Sequence, residues 1–177
     1  MDIQYIILCP DRNLGGLKNT VGSIKFNTVD RNFLCVVGND VYPDELEEFQ
    51  DTCPTFVGKD TLTSLINLGL KTISSEWGFI LFAGSRTSRY LENKLDVFAK
   101  NENDVLFPVV DYKTDFVYGS FNGVLINTQL FKKVGDFPTS IMKKKGVNDF
   151  EMAKMFWHIS AVEKGAIFKA IVGMKII

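Results

Sequence analysis

Residues 77–86 decide the fold, and they read Trp77-Gly78-Phe79-Ile80-Leu81-Phe82-Ala83-Gly84-Ser85-Arg86. The run from Phe79 to Phe82 is short, apolar and followed by small residues, which is typical of a strand buried on both faces. We expect such a strand in the middle of a parallel sheet. Open α/β sheets bind ligands beyond the carboxyl ends of their strands. The ligand is therefore expected near residues 83–89.

Length and composition indicate a single globular domain. The chain has 177 residues, of which 46% are hydrophobic, enough for a sizeable core and too many for a disordered chain. The formal net charge is −1. We therefore do not expect nucleic acid as a partner, because a general nucleic-acid-binding protein needs a strongly basic surface.

The cysteines and the N-terminus indicate a soluble cytoplasmic protein. Cys9, Cys35 and Cys53 have no metal-like spacing, and the first two lie in apolar runs that predict buried thiols. An odd cysteine count favours a reducing compartment. The N-terminus lacks the pattern of a signal peptide, and no apolar run approaches the roughly 20 residues of a transmembrane helix.

Strands and helices are predicted to alternate over residues 1–110. The predicted strands cover residues 5–9, 33–37, 54–57, 79–82 and 105–110. A turn at 13–16 leads into a predicted helix that runs roughly to residue 25, and further helices are predicted at 43–49, 61–73 and 89–100. Such alternation predicts βαβ units and a mainly parallel sheet.

The remaining third of the chain has a different pattern, and no linker separates it from the first part. It contains a glycine-bearing apolar segment at 116–127, a short helix at 129–134 closed by Gly135, a basic loop at 143–145, a helix at 149–163 closed by Gly165, and a final strand or strand pair at 166–177.

A resemblance to a known family begins in this last third. Residues 119–138 read GSFNGVLINTQLFKKVGDFP and resemble the acceptor-side segment of family 2 glycosyltransferases, in which a short helix ends in F-x-x-V-G-G-F. Residues 148–151 are similar to the family's E-D-x-E segment. Further segments follow the family's order, namely the first strand and turn at 5–12, the second strand and its carboxylate at 33–40, and an N-x-G-L helix at 67–70.

The resemblance covers nearly the whole chain and implies the GT-A fold. This fold is a three-layer α/β sandwich around a mostly parallel central sheet. It implies a single domain over residues 1–177, in which residues 1–110 bind the nucleotide and residues 111–177 form the acceptor side.

The resemblance also implies a reaction. A nucleotide-sugar binds across the carboxyl ends of the first and fourth strands, and an acceptor hydroxyl attacks the anomeric carbon with inversion. Asp149 matches the family's catalytic base, a role that needs reach and a carboxylate. Asp149 is equally well explained as a helix N-cap.

Further site residues follow from the same resemblance. On the donor side they are Pro10, Asp11, Arg12, Asp40, Asn67, Ala83, Gly84, Ser85 and Arg86, and on the acceptor side Gly119, Asn122, Gly123, Asn148 and Glu151. Two of them have simpler explanations: Asp40 belongs to a turn sequence, and Arg12 is explained by a solvated loop.

The chain departs from the family at its metal site. Where the family carries D-x-D after the fourth strand, this sequence has Ala83-Gly84-Ser85. Mg²⁺ and Mn²⁺ prefer carboxylate and phosphate oxygens, and the Ser85 hydroxyl is a poor substitute. The single histidine, His158, lies inside a predicted helix, where a surface or packing role is expected. We predict no metal site and no other cofactor.

Two hypotheses follow from the missing carboxylates. In the first, the protein is a metal-independent glycosyltransferase in which Arg86, assisted by Arg89 or Lys59, stabilises the leaving diphosphate. In the second, it is a catalytically inactive GT-A protein that binds a nucleotide or glycan. Both arginines are otherwise explained as charges that precede a helix, although a cation at that end opposes the helix dipole.

Other nucleotide-binding motifs are missing from the sequence. The turn after the first strand lacks G-x-G-x-x-G, no P-loop pattern occurs, and residues 14–18 do not match the glycine-rich loop of sugar-1-phosphate nucleotidyltransferases. The expected partners are a nucleotide-sugar donor and a glycan, lipid or protein acceptor. The aromatic residues between 107 and 137 predict either a sugar-stacking groove or a packed core.

Overall fold

The computed structural model describes residues 1–28, 32–50, 53–59, 61–109, 116–117, 119, 121–140, 149–174 and 176. Its strands are β1 Ile3–Cys9, β2 Phe33–Val37, β3 Thr55–Val57, β4 Trp77–Phe82, β5 Asp104–Pro108, β6 Val124–Asn127 and β7 Ile167–Ile171. Its helices are α1 Leu14–Asn27, α2 Pro43–Gln50, α3 Leu62–Thr72, α4 Leu91–Phe98, α5 Thr128–Val134 and α6 Asp149–Glu163. The predicted alternation is confirmed.

The strands form one seven-stranded sheet with the order β3-β2-β1-β4-β6-β5-β7. β4 lies at its centre, as predicted, and pairs in parallel with β1. The expectation of parallel neighbours on both sides is wrong, because β6 pairs with β4 in antiparallel orientation. β5 ends at the carboxyl edge of the sheet, and β6 begins at that same edge. An antiparallel pair of this kind can be connected without the crossover that a parallel pair requires.

β6 also interleaves the two parts of the chain. It belongs to the last third of the sequence, yet it lies between β4 and β5, which belong to the first part. Its backbone pairs with both strands. The described residues of both parts therefore share one sheet.

The central strands β1, β2, β4 and β6 are buried on both faces because most of their residues are apolar on each face. In β1, Tyr5 and Ile7 face one core, whereas Ile6 and Leu8 face the other. Apolar residues of α1, α2 and α4 cover the first face, and those of α3, α5 and α6 cover the second. The result is the predicted three-layer sandwich, with β4 buried throughout most of its length.

The aromatic residues of the last third pack into the second core. Phe137 stacks on Trp157 with ring centroids 4.5 Å apart, and Phe116 is buried beside them. His158 stacks on Phe168 at 4.2 Å, which confirms its predicted packing role. For these rings, the core is the correct explanation, and Tyr112 and Tyr118 lie outside the described residues.

Helix ends and apolar length agree with the sequence patterns. Gly135 follows α5 directly with a φ of +97°, and Gly165 is the second residue after α6 with a φ of +87°. Such positive φ values favour glycine at helix ends. Within the described residues, no helix has the length and apolarity to cross a membrane.

A buried ion pair joins β5 to β7. Asp104 is 0% exposed, and its Oδ2 accepts a hydrogen bond of 2.6 Å from Lys169 and others from the backbone N–H groups of Lys100 and Asn101. Burial raises the pKa of Asp104, but the bonds from Lys169 and the two N–H groups outweigh burial and hold this pKa below its usual value.

We expect Asp104→Asn to lower the free energy of unfolding at pH 7 by roughly 2–4 kcal/mol, because the change leaves the ammonium group of Lys169 without its carboxylate partner. The folded-state pKa of Asp104 is depressed, so its contribution is fully present above the ordinary pKa and is lost as pH falls. Urea unfolding at pH 7 and pH 3 should show the gap between the two proteins narrowing at about pH 4 and below.

Asp96→Asn is the matched control, since Asp96 is 65% exposed on α4. Its effect should stay within about 0.5 kcal/mol at both pH values. An equal loss in both variants, or a gap for Asp104→Asn that grows in acid, would contradict this account of the buried pair.

Candidate functional site

The strand order reverses at the carboxyl ends of β1 and β4. From β1 the chain proceeds to β2 and β3 on one side, and β4 then lies on the other side of β1. Such a switch point leaves a crevice where α/β sheets bind ligands. The residues that follow these two strands are 10–12 and 83–86.

Backbone contacts hold the loops of this edge together. The Ala83 N–H donates to the Leu8 carbonyl at 2.8 Å, and the Asn13 side chain donates to the Ala83 carbonyl at 3.4 Å. Gly38 after β2 donates to the Cys9 carbonyl at 3.1 Å. The donor-side residues predicted after β1, β2 and β4 therefore meet at one edge; they are Pro10, Asp11, Arg12, Asp40, Ala83, Gly84, Ser85 and Arg86.

Arg12 is held in a defined position at this edge. Its backbone has a φ of +53°, and its guanidinium bonds Glu45 of α2 at 2.5 Å and lies 4.7 Å from the ring centre of Tyr42. The hydrogen bond from Arg12, with a second from the Tyr42 N–H, holds the pKa of Glu45 below its usual value. Arg12 is exposed but is not a freely solvated loop charge.

The segment that follows β4 is held by hydrogen bonds. Ser85 is buried, and its hydroxyl accepts a bond of 2.7 Å from Asn122, whose side-chain oxygen accepts from the Phe82 N–H at 3.0 Å. Gly84 has a φ of +100° and donates to the Thr20 hydroxyl at 3.0 Å. Asn122 thus fastens the end of β4 to the start of β6.

This segment does not fit a divalent cation. Residues 83–86 carry no carboxylate, and the Ser85 hydroxyl already accepts from Asn122. Across the part of the chain that the structure describes, no cluster of three or more His, Cys, Asp or Glu side chains could hold a metal ion.

Arg86 and Arg89 lie in different places. Arg86 is exposed directly after Ser85. From there the chain runs along α1, where the Thr87 N–H donates to Ser23, and the Arg89 guanidinium lies 5.2 Å from the ring centre of Phe26. Since α1 rises about 1.5 Å per residue, Phe26 is roughly 18 Å along the helix from its first residue. The expected assistance from Arg89 at the crevice is therefore not supported.

Asn67 has a structural contact that the resemblance did not indicate. It is 5% exposed within α3, its amide nitrogen donates to the Phe137 carbonyl, and its amide oxygen accepts from the Phe137 N–H, both at 2.8 Å. This two-bond contact fixes the segment after α5 against α3.

A cavity of about 350 Å³ lies beside Asp149. Its lining residues are Thr61, Leu62, Thr63, Pro138, Thr139, Asp149 and Phe150. Asp149 is exposed and is the first residue of α6, so it lies inside the helix rather than at a cap, and the helix dipole favours a negative charge there. Because α3 follows β3, its first residues, which line this cavity, lie at the carboxyl edge of the sheet, as does the crevice.

Behind Asp149, a buried lysine connects α6 to the glycine segment. The ammonium group of Lys154 is 1% exposed, lies 2.9 Å from the Glu151 carboxylate, and donates to the Gly119 carbonyl at 3.1 Å. The sequence prediction named Glu151 and Gly119 but missed Lys154. The available signal was a lysine on the apolar side of α6, one turn before Trp157. Asn148, the remaining acceptor-side candidate, lies outside the described residues.

Gly123 is required by the backbone. Its φ is +89°, its N–H donates to the Ile80 carbonyl at 2.7 Å, and a Cβ added there would lie 1.8 Å from the Ile176 side chain. The glycine thus allows β6 to begin beside the end of β4.

Comparison with known proteins gives similar folds but no family. No family model matches the sequence, and no curated protein does. A structure of S. aureus TarS 1–349 superposes with a TM-score of 0.68 and 13% identity, covering 99% of this chain and 59% of that one. GalNAc-T7 with UDP, GalNAc and Mn²⁺ superposes with a TM-score of 0.75 and 11% identity, covering 97% and 42%.

A third structure, TarS 1–349 in complex with UDP-GlcNAc, has a TM-score of 0.66 and 14% identity, and covers 99% of this chain and 57% of that one. The chain therefore spans less than two thirds of the length of these neighbours. At such identities the likeness concerns the fold. The seven-stranded, mostly parallel sheet between two helical layers is the GT-A fold that the resemblance implied.

Proposed function

We propose that this protein transfers a sugar from a nucleotide-sugar donor to an acceptor hydroxyl, with inversion at the anomeric carbon and without a divalent metal. One observation carries this proposal: Asp149 lines a cavity together with the first residues of α3, which follow β3 and therefore lie at the same carboxyl edge of the sheet as the crevice between β1 and β4. A base and a donor site on one edge are what direct sugar transfer requires.

A uridine diphosphate sugar is the donor we favour. The similar structures include TarS with UDP-GlcNAc and GalNAc-T7 with UDP and GalNAc. In this chain, Asp11 and Asp40 are exposed carboxylates at the ends of β1 and β2, where they would accept hydrogen bonds from a nucleoside. Pro10, Ala83 and Gly84 would let the nucleotide approach the backbone closely.

Arg86 is proposed to stabilise the leaving diphosphate. It is an exposed cation next to the end of β4, and guanidinium groups form strong bidentate bonds to phosphate oxygens. Arg12, which Glu45 holds at the neighbouring strand end, supplies a second positive charge. These cations would replace the charge that a metal gives in the D-x-D family.

In the proposed step, the Asp149 carboxylate removes the proton of the acceptor hydroxyl. The acceptor oxygen attacks the anomeric carbon while the bond from that carbon to the diphosphate oxygen breaks on the opposite face. Phe150 and the threonine hydroxyls that line the cavity would position the acceptor. Lys154 and Glu151 would keep α6, and with it Asp149, in place.

The second candidate function is a nucleotide- or glycan-binding protein without catalysis. The contact between Ser85 and Asn122 favours this second candidate. The Ser85 hydroxyl, which matches the family's D-x-D position, is already hydrogen-bonded to Asn122 within the fold. Turnover of a nucleotide-sugar distinguishes the two candidates, because only the glycosyltransferase should show it.

Asp149→Asn should reduce sugar transfer, or donor hydrolysis, by roughly 10²–10⁴-fold, because the amide cannot accept the acceptor proton. The donor dissociation constant should stay within about twofold, since Asp149 belongs to the acceptor side. Initial rates and calorimetric titration with UDP-sugars measure the two quantities.

Glu163→Gln, at the opposite end of α6, is the matched control and should leave both quantities unchanged. Full turnover in Asp149→Asn would remove Asp149 as the base. A wild-type protein that binds the donor without any turnover would favour the binding function.

Nucleotide binding tests the metal-independent donor site. We expect UDP and UDP-sugars to raise the thermal midpoint of unfolding more than GDP, dTDP or CMP do. The rise should be the same in the presence of Mn²⁺ as in the presence of EDTA. Arg86→Ala should raise the dissociation constant roughly 10–100-fold, because it removes a charge-assisted contact to the diphosphate.

Arg89→Ala is the control for charge and composition, since Arg89 lies beside Phe26 far along α1. It should leave the dissociation constant unchanged. Stabilisation that needs Mn²⁺, or an equal loss in the two arginine variants, would argue against the proposed donor site.

A further inference from the structure

Two cysteines that are distant in sequence meet in the first core. Cys35 lies in the middle of β2, and Cys53 comes just before β3, with 18 positions between them. Their sulfur atoms are 3.1 Å apart, and neither cysteine forms a disulfide. Cys35 is 0% and Cys53 4% exposed. A disulfide bond of about 2.05 Å would need the two sulfurs to approach by roughly 1 Å.

The surroundings of the two sulfurs differ. A hydrogen bond from Cys35 lowers the pKa of Cys53, against the effect of burial, and the Thr55 hydroxyl and the charge of Lys25 also lower it. The pKa of Cys35 is raised, first by its bond to Cys53 and then by burial. Burial, followed by the charge of Asp11, raises the pKa of Cys9 to about 11. The lowered pKa favours Cys53 as the attacking sulfur of the pair, because the thiolate is the reactive form of cysteine.

We propose that Cys35 and Cys53 form a redox modification site, at which a peroxide produces an intramolecular disulfide and a small thiol reductant restores the two cysteines. The short sulfur–sulfur distance carries this inference. It does not depend on sugar transfer, and it assigns a chemical role to side chains outside the proposed donor and acceptor sites.

The oxidation balances in two steps. The Cys53 sulfur attacks one peroxide oxygen, the O–O bond breaks, and the sulfenic acid of Cys53 and one water are formed. The Cys35 sulfur then attacks the Cys53 sulfur, the S–O bond breaks, and the hydroxyl leaves as a second water with the Cys35 proton. Two thiols are oxidised by two electrons, and one hydrogen peroxide is reduced to two waters.

The disulfide would close a loop that contains α2 and the carboxylates of Asp40 and Glu45. Closing a loop of this length removes conformational freedom from the unfolded chain. We therefore expect oxidation to raise the thermal midpoint by roughly 5–10 °C.

The test treats the folded full-length protein with hydrogen peroxide and then counts thiols after denaturation. The count should fall from three to one, the intact mass should fall by about 2 Da through loss of two hydrogens, and dithiothreitol should reverse both changes. Peptide mapping should place the disulfide between Cys35 and Cys53.

Variants make the assignment specific. Cys9→Ala should go from two thiols to none and keep the rise in thermal midpoint, whereas Cys53→Ala should keep its two thiols and show no rise. A wild-type count that stays at three, or a disulfide that includes Cys9, would overturn the proposal. Oxidation of Cys53 to a sulfenic acid that never forms a disulfide with Cys35 would also overturn it.

Discussion

The burial of β4 on both faces at the centre of the sheet is the constraint on which the rest depends. Both faces of this strand are covered by helices, so its backbone groups must pair with strands on both sides. β1 satisfies one side in parallel and β6 the other in antiparallel orientation. The end of β4 is then fixed from both sides, by the Leu8 carbonyl at Ala83 and by Asn122 at Phe82 and Ser85. These contacts determine the shape of the crevice.

Local sequence patterns were sufficient for the strands and helices. Apolar runs and helical spacing predicted the strands and helices, because burial imposes a period on each of them. They did not predict polar contacts between distant residues. Asn67 and Phe137 are 70 positions apart, as are Asn13 and Ala83. Such pairs leave no period in the sequence, since each depends on how whole elements pack.

The two arginines after β4 show the same limit at the site. Their spacing suggested a shared role, but the chain turns at Gly84 and runs along α1, which separates Arg86 from Arg89. Lys154 was missed for a related reason. Its burial in an apolar helix face is explained by its partners, Glu151 and the Gly119 carbonyl, and helical spacing alone does not indicate them. The contact between Cys35 and Cys53 likewise depends on how α2 packs against the sheet.

The interleaving of β6 has a consequence for how the protein is made. During synthesis, the strands from β1 to β5 leave the ribosome first, yet the central strand has no partner on its second side until residues 124–127 emerge. Pairing over such a sequence distance is slow, and an unpaired apolar strand is open to association with other chains. The strands of residues 1–110 therefore cannot complete their sheet before residues 124–127 exist, and this interval is when a nascent chain would most need a chaperone.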